Sequence, residues 1–185
     1  GVVTRLLTRF ASRVHVAFPE AIDRLHVDAR RCRVSGNPVR SPSMMTRAEA
    51  RGMFAVPDAA TLALVTGGSQ GSLALNRCVS SFVEQVESGD IDRVAGLHLL
   101  WSTGRKHFDS VMDALVQAGE PEWVRALPYI EDVPGALAAS DLAVSRAGAM
   151  TTAEFLNQGL PSVLIPLPTA AANHQMLNAR ALEHA

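Results

Sequence analysis

The sequence predicts an α/β fold, a parallel sheet with helices on both faces. From residue 60 onward, short apolar runs alternate with longer segments that have helical periodicity. Small-residue turns that contain glycine follow two of the apolar runs, at residues 67–71 and 146–148. Alternating strands and helices form βαβ units, whose right-handed crossovers place the carboxyl ends of all strands at one edge of the sheet. Ligands of such sheets bind at that edge.

The individual elements follow from local patterns. Predicted strands cover residues 62–65, 94–100, 124–130, 142–144 and 163–165. Predicted helices cover residues 72–86, 108–118, 133–139, 149–158 and a last stretch from residue 173. Gly159 ends the fourth of these helices, because glycine favours a helix end and Pro161 follows closely.

Upstream of residue 60 the pattern is less regular. Residues 2–17 are predicted to form one helix, with Arg5, Arg9 and Arg13 recurring on one face. A basic amphipathic helix can lie on an anionic membrane surface. A row of this kind is more often simply a solvated face.

The segment Gly36-Asn37-Pro38 predicts a turn and a boundary between domains. A connector follows, with one short helix at residues 46–52. Arg40 at this hinge could reach a phosphate, although an arginine exposed at a surface is the commoner case. We assign residues 1–38 to the end of one domain, residues 39–58 to the connector and residues 59–185 to a second domain.

Composition narrows the class of protein. The chain has 185 residues, of which 48% are hydrophobic, and a net charge of −1, so no basic field indicates a nucleic-acid partner. Cys32 and Cys78 are far apart and lack metal-site spacing, which is typical of a reducing compartment. No apolar run reaches transmembrane length. The chain starts without Met and stops inside a predicted helix, so we expect a fragment of a longer protein.

Residues 65–72, VTGGSQGS, form the first glycine-rich turn. Gly67 and Gly68 allow a tight turn and a close approach of a phosphate, and Ser69 could donate a hydroxyl hydrogen bond. The spacing is that of neither a dinucleotide-binding G-x-G-x-x-G nor a P-loop. The turn alone is weak evidence, and the second turn, expected at the same edge, strengthens it.

Residues 141–166 predict a strand, a tight turn, a helix and another strand. Backbone N–H groups at the start of such a helix attract anions. The hydroxyls of Thr151 and Thr152 could add donors, and Glu154 is placed to accept from a sugar hydroxyl. The alternative is an ordinary βα turn that binds nothing.

The loop at residues 168–175 leads into the last helix. Asn173, His174 and Gln175 offer donors and acceptors suited to sugar hydroxyls. A polar helix cap with a solvated histidine is the alternative. The sequence contains no evident carboxylate pair, Ser-His-Asp set or metal-ligand cluster.

Four segments together resemble the MurG family, glycosyltransferases of family 28 that add N-acetylglucosamine to lipid I in peptidoglycan synthesis. They are GNPVR at residues 36–40, GGSQGS at 67–72, SRAGAMTTAE at 145–154 and NHQMLNA at 173–179. The resemblance covers nearly the whole chain, in the order and spacing of the family. It implies a GT-B type fold, of which this chain holds the Rossmann-like nucleotide-sugar domain and the tail of the N-terminal acceptor domain.

The resemblance also implies roles for single residues. Ser69 and Thr151 would face the donor diphosphate, and Ile130 would contact the uracil. Glu154 would hold the ribose hydroxyls, and residues 174–175 would read the sugar. The substrate-binding residues predicted in this way are Arg40, Gly68, Ser69, Gln70, Ile130, Arg146, Gly148, Ala149, Met150, Thr151, Glu154, His174 and Gln175.

The implied reaction is an inverting transfer of N-acetylglucosamine from UDP-GlcNAc to lipid-linked N-acetylmuramyl-pentapeptide, which converts lipid I to lipid II. The enzyme would work as a peripheral protein at the cytoplasmic face of the bacterial inner membrane. The family's catalytic base and membrane-facing surface lie upstream of residue 1, so we predict no catalytic residue here, and no metal, cofactor or nucleic-acid partner. The alternatives are a related transferase with another acceptor, such as diacylglycerol, and a non-catalytic UDP-sugar-binding subunit.

Overall fold

The computed structural model describes residues 2–23, 25, 27–168 and 173–183. The chain forms two compact units, Gly1–Val39 and Arg40–Ala185. No helix in the described ranges combines the length and hydrophobicity needed to cross a bilayer.

The first unit is built around a two-stranded parallel sheet. Strand β1 (Val14–Val16) pairs with β2 (Cys32–Val34), with Val14 opposite Cys32. The unit also contains helix α1 (Val2–Leu7), helix α2 (Glu20–Asp23) and a 3₁₀ turn at Ala29–Arg31.

The prediction of a single helix over residues 2–17 is wrong. Helix α1 ends at Leu7, and the chain then turns into β1, where Val14 and Val16 are buried and His15 between them is exposed. The guanidinium of Arg31 donates to the carbonyls of Thr8 and Ala11, which ties the turn after α1 to the segment before β2. The predicted basic face therefore does not form, because its arginines span a helix, a turn and a loop.

The second unit is a five-stranded parallel sheet with helices on both faces. Its strands are β3 (Thr61–Thr66), β4 (Leu97–Ser102), β5 (Val124–Leu127), β6 (Leu142–Ser145) and β7 (Ser162–Leu164). Its helices are α3 (Arg47–Met53), α4 (Leu73–Glu87), α5 (Phe108–Gln117), α6 (Val133–Ala139), α7 (Ala149–Gln158) and α8 (His174–Glu183). The predicted α/β fold is thus confirmed, and the largest differences in strand boundaries are that β4 begins at Leu97 and β5 ends at Leu127.

Side chains that alternate along β3 build two hydrophobic cores, one on each face of the sheet. Leu62 and Leu64 pack into a core with residues of α3, α6 and α7. Ala63 and Val65 pack into the other core with residues of α4 and α5. A strand covered on both faces is apolar throughout, which is why residues 62–65 read as an unbroken hydrophobic run.

The strand order is β5-β4-β3-β6-β7, and every neighbouring pair is parallel. The chain builds outward from β3 to β4 and β5, then returns to the other side of β3 with β6 and β7. The switch of direction lies between β3 and β6, where Thr66 and Ser145 are register partners. The turns that follow these two residues therefore leave the sheet side by side, at the position where doubly wound folds bind their ligands.

Asp141, at the entry to β6, joins β3, β6 and α3 at the opposite end of the sheet. Its carboxylate accepts from the Leu62 N–H at 2.8 Å and from Arg51 Nη2 at 2.6 Å, and it also pairs with Arg47. Arg51 is 1% exposed, and its Nε donates to the Ala139 carbonyl at 3.1 Å. Burial alone would raise the pKa of Asp141, but the Leu62 N–H and the two arginines outweigh burial and lower this pKa below its usual range.

We expect Asp141→Asn to lower the free energy of unfolding by about 3 kcal/mol at pH 7, because it leaves the buried Arg51 guanidinium without its counter-charge. Since the pKa of Asp141 is lowered by folding, its stabilising effect is complete above the ordinary value of 3.8 and is lost as the pH falls through the lowered value. The difference between the variant and the parent protein should therefore shrink below that pH. Urea unfolding at several pH values measures this.

Asp113→Asn is the matched control. Asp113 is exposed on α5, so we expect its replacement to change the free energy of unfolding by no more than about 0.5 kcal/mol. Equal losses in the two variants would contradict the role of Asp141.

Candidate functional site

The turn after β3 carries the first group of predicted site residues. Gly68 and Gly71 both have positive φ, +84° and +73°, and the Gly71 N–H donates to the Gly68 carbonyl at 2.9 Å. Ser69 and Gln70 form the exposed tip of this turn. The backbone thus curls back on itself and presents a serine at its surface, as predicted from the sequence.

The turn packs against the end of β4 by direct backbone contact. A Cβ on Gly71 would overlap the Thr103 carbonyl oxygen, and a Cβ on Gly104 would meet the Gln70 carbonyl oxygen at 2.5 Å. The buried amide of Asn76 supports this contact, because it donates to the Thr103 carbonyl at 2.8 Å and accepts from the Trp101 indole at 3.1 Å. This support was not predicted from the sequence, in which Gly104, four residues after the predicted strand at residues 94–100, was the available signal.

The amino terminus of α7 lies at the end of the neighbouring strand. Gly148 is its N-cap residue and supplies no side chain to cap the helix, and the first intrahelical bond runs from Thr152 N to Gly148 O at 2.9 Å. The N–H groups of Met150 and Thr151 come before that bond, so they have no acceptor within the helix. Ala149 and Met150 are exposed. The helix start therefore offers N–H groups and the positive end of the helix dipole to an anion.

The expectation that Thr152 contributes a donor to a ligand is wrong. Its side chain is 3% exposed, and its hydroxyl donates within the helix, to the carbonyls of Gly148 and Ala149. Back-bonding of this kind is common for threonine inside helices. Thr151, which is partly exposed, is the hydroxyl that remains on the outer face of the first turn.

Arg146 connects the glycine turn region to the segment after β7. Its Nε donates to the Ser72 hydroxyl at 3.0 Å, and its Nη1 contacts the carbonyls of Ile165 and Pro166 at 3.2 and 3.4 Å. Ser72 is also the N-cap residue of α4, where its hydroxyl accepts from the Leu75 N–H. The guanidinium of Arg146 thus contacts the segments that follow β3 and β7, while the Arg146 backbone lies in the turn that follows β6.

A second group of predicted residues surrounds a small cleft between α6, α7 and the segment at residues 40–42. Arg40 and Glu154 both line this cleft. Arg40 Nη1 donates to the Glu131 carbonyl at 3.2 Å, next to Ile130, whose side chain is buried in the core. Burial raises the pKa of the Glu154 carboxyl, and the positive charge of Arg40 partly offsets that rise. The structure therefore brings together three predicted residues from three separate segments.

The third group lies at the start of α8. His174 is exposed there, and the Gln175 side-chain oxygen accepts from the Leu167 N–H at 2.8 Å. Asn178, one turn further on, donates to the Ala147 carbonyl at 3.0 Å. Asn178 is not among the site residues predicted from the sequence, although it belongs to the matched motif at residues 173–179. Residues 169–172 of the predicted loop lie outside the described part of the chain.

Another, wider groove lies away from these residues. It has a volume of about 610 Å³ and is open to solvent between the carboxyl-terminal half of α7, β7 and α8. None of the predicted site residues lines it. We therefore place the candidate site at the switch point of the sheet and not in this groove.

The arrangement is suited to an anion with a polar substituent on either side. The glycine turn and the α7 amino terminus both lie at the switch point, and Glu154 follows Thr151 by three residues, about one helical turn along α7. In the described residues, no group of three or more His, Cys, Asp and Glu side chains is placed to hold a metal ion. Backbone dipoles at the α7 amino terminus, the Ser69 and Thr151 hydroxyls and Arg146 are groups near the switch point that could interact with a ligand's negative charge.

A doubly wound parallel sheet with two small-residue turns at its switch point is typical of nucleotide-binding domains. The chain belongs to glycosyltransferase family 28, because residues 62–185 match the C-terminal domain of that family. The family resemblance of the sequence motifs is thereby confirmed.

Proteins named UDP-N-acetylglucosamine–N-acetylmuramyl-(pentapeptide) pyrophosphoryl-undecaprenol N-acetylglucosamine transferase match nearly the whole chain. The Salinibacter ruber protein is 40% identical over 187 residues, which cover 100% of this chain and 48% of the relative. The Acetivibrio thermocellus protein is 37% identical over 184 residues, which cover 99% of this chain and 48% of the relative. The chain thus spans about half the length of the curated relatives it matches.

Solved structures show the same fold. Acinetobacter baumannii MurG superposes with a TM-score of 0.63 at 27% identity, covering 97% of this chain and 46% of that protein. WaaG, a glycosyltransferase involved in lipopolysaccharide biosynthesis, superposes with a TM-score of 0.51 at 17% identity, covering 92% of this chain and 54% of WaaG. The second likeness concerns the fold alone. Both neighbours are GT-B glycosyltransferases, and the expected GT-B type of fold is confirmed.

We expect Gly71→Ala to destabilise the protein by about 2 to 4 kcal/mol, because the new methyl group meets the Thr103 carbonyl in addition to the cost of a positive φ. Gly68→Ala is the matched control, since its φ is also positive but nothing lies within 4 Å of the position that a methyl group would take there. It should cost only about 1 kcal/mol. Urea unfolding of both variants measures the difference, and equal costs would argue against the contact with Thr103.

Proposed function

We propose that the full-length protein transfers N-acetylglucosamine from UDP-GlcNAc to lipid-linked N-acetylmuramyl-pentapeptide, and that this chain carries the donor-binding half. The proposal is supported by relatives named for that activity that are 36 to 40% identical over almost the whole chain. It is supported also by the structural likeness to MurG over 97% of the chain. Family membership supports the reaction class, a glycosyl transfer.

One observation carries the proposal for the donor. The pairing of Thr66 with Ser145 sets the glycine turn beside the amino terminus of α7. A diphosphate held between them would receive hydrogen bonds from N–H groups and the Ser69 and Thr151 hydroxyls. A ribose placed one helical turn along α7 would meet Glu154, and a base beyond it would lie against Ile130. Phosphate, ribose and base then follow each other in the order of a nucleoside diphosphate.

The chemical contribution of this half is to stabilise the leaving group. In an inverting transfer, negative charge develops on the UDP oxygen as the bond to the sugar breaks, and prearranged N–H dipoles stabilise that charge. A general base that activates the acceptor hydroxyl is also needed. We assign that base, with the acceptor site, to a part of the full-length protein outside this chain.

The proposal also covers the domain boundaries and the cellular location predicted from the sequence. Residues 1–38 would belong to the acceptor domain, residues 39–58 would connect the domains, and residues 59–185 would form the donor domain. The lipid-linked acceptor implies that the full-length protein works at the cytoplasmic face of the inner membrane as a peripheral protein. Its product would be a precursor of the cell wall, which links the protein to cell shape and division.

The first test is calorimetric titration of the 185-residue chain with UDP-GlcNAc, UDP-glucose, UDP and ADP, without added metal. We expect the three uridine ligands to bind and ADP not to bind, because the nucleobase contacts at residue 130 are expected to select uracil. Preference for UDP-GlcNAc over UDP-glucose would favour the peptidoglycan enzyme over a transferase with another sugar and acceptor. Equal binding of ADP and UDP by a folded sample would contradict the proposal.

We expect Glu154→Gln to weaken UDP binding about ten- to a hundredfold, because it removes the charge from the hydrogen bonds to the ribose. The ionised carboxylate is the form that accepts from both ribose hydroxyls. Because the pKa of Glu154 is raised above its ordinary 4.5, affinity should fall as the pH drops through this raised value and recover above it. Titrations of parent and variant at several pH values measure this.

Two comparisons make the Glu154 test specific. The phosphate of the ligand titrates in the same way with the parent protein and with Glu154→Gln. The ratio of the two affinities therefore reports the effect of the Glu154 carboxylate alone, and it should approach one at low pH. Glu84→Gln, on the exposed face of α4, should bind UDP like the parent protein. An affinity ratio near one at neutral pH would remove Glu154 from the ribose site.

A further inference from the structure

Arg146 is one of the predicted substrate-binding residues, but its hydrogen bonds are made to the protein. Nε contacts the Ser72 hydroxyl at 3.0 Å, and Nη1 contacts two backbone carbonyls, of Ile165 and Pro166, at 3.2 and 3.4 Å. The two edges of the guanidinium thus face different segments. This fork geometry is specific to arginine, because a lysine ammonium is a single point with no fixed plane.

The contacts of Arg146 continue into α8. Directly after the carbonyls that Arg146 holds, the Leu167 N–H donates to Gln175 in the first turn of α8. On the next turn of α8, Asn178 donates to the carbonyl of Ala147, the residue after Arg146. The segment 165–168, α8 and the turn after β6 are therefore tied into one closed set of hydrogen bonds.

We propose that Arg146 is a positioning residue, which holds the segment 165–168 and with it the start of α8 in register with the two turns at the switch point. The proposal rests on the proposed function. It concerns how the distance is fixed between the two turns proposed to bind the diphosphate and residues 174–175, which are proposed to contact the sugar. Its partners are neutral oxygens, and no carboxylate pairs with it among the described residues. No carboxylate therefore neutralises its positive charge, which can attract an anion at the switch point without direct contact.

Arg146→Lys separates positioning from charge. Lysine keeps the positive charge but cannot reach Ser72 and the 165–166 carbonyls together. We expect it to weaken UDP-GlcNAc binding at least tenfold at a temperature where the variant is fully folded. Arg125→Lys, an exposed arginine on β5, is the matched control and should bind within twofold of the parent protein.

The bond to Ser72 is tested by a double-mutant cycle. Ser72→Ala alone should weaken binding, whereas the same change made in Arg146→Lys should have much less effect, because the shared bond is already lost. Additive losses would overturn the pairing of the two side chains. Parent-like affinity of Arg146→Lys, together with a large loss in Arg146→Ala, would show that charge alone matters and would overturn the positioning role.

Amide hydrogen exchange of the ligand-free proteins decides the proposal even if no uridine ligand binds. We expect faster exchange in Arg146→Lys at the Leu167 amide and within residues 67–72, with exchange in β3 and β4 unchanged. Unchanged exchange at Leu167 would overturn the proposal. Failure of the parent chain to bind any uridine ligand, with the exchange as expected, would count against the proposed donor site and leave the positioning role supported.

Discussion

The adjacency of β3 and β6 organises both the sheet and the candidate site. Asp141 secures it at the entry to β6, where the carboxylate accepts from the Leu62 N–H and faces the buried Arg51. This contact fixes the register that sets Thr66 opposite Ser145 at the other end of the strands. A slip of one residue would move the ends apart by about 3.3 Å and turn each side chain to the opposite face of the sheet.

The site follows from that register, because its parts are attached to the strand ends. The glycine turn leaves β3, α7 begins after β6, and Arg146 contacts both Ser72 and the segment after β7. Stabilising and binding groups are therefore separated along the strands. Charged pairs at the entry hold the sheet, while N–H groups, hydroxyls and one partly buried carboxyl, that of Glu154, remain at the exit.

Much of the fold could be predicted because its signals are local. Gly159 ends α7 with a φ of +65°, and Thr46 and Glu49 form a capping box at the start of α3, within the predicted short helix. Most of the predicted site residues come from motifs, and two of them, Arg40 and Glu154, line one cleft, with Ile130 next to the Glu131 carbonyl that Arg40 contacts. The prediction of a helix over residues 2–17 is wrong, because the strand at its end pairs with residues 32–34, a contact that no local window contains.

The kinds of elements, their order and the residue types at the turns can be read from the sequence, since each depends on neighbours within one or two helical turns. Which turns meet, and which polar groups are already engaged, is a property of the folded chain. Arg146 and Ser72 are 74 residues apart, and Asn178 and Ala147 are 31 apart, so their contacts depend on strand order and register. For the same reason only the structure shows that the Thr152 hydroxyl is buried in its own helix while Thr151 stays at the surface.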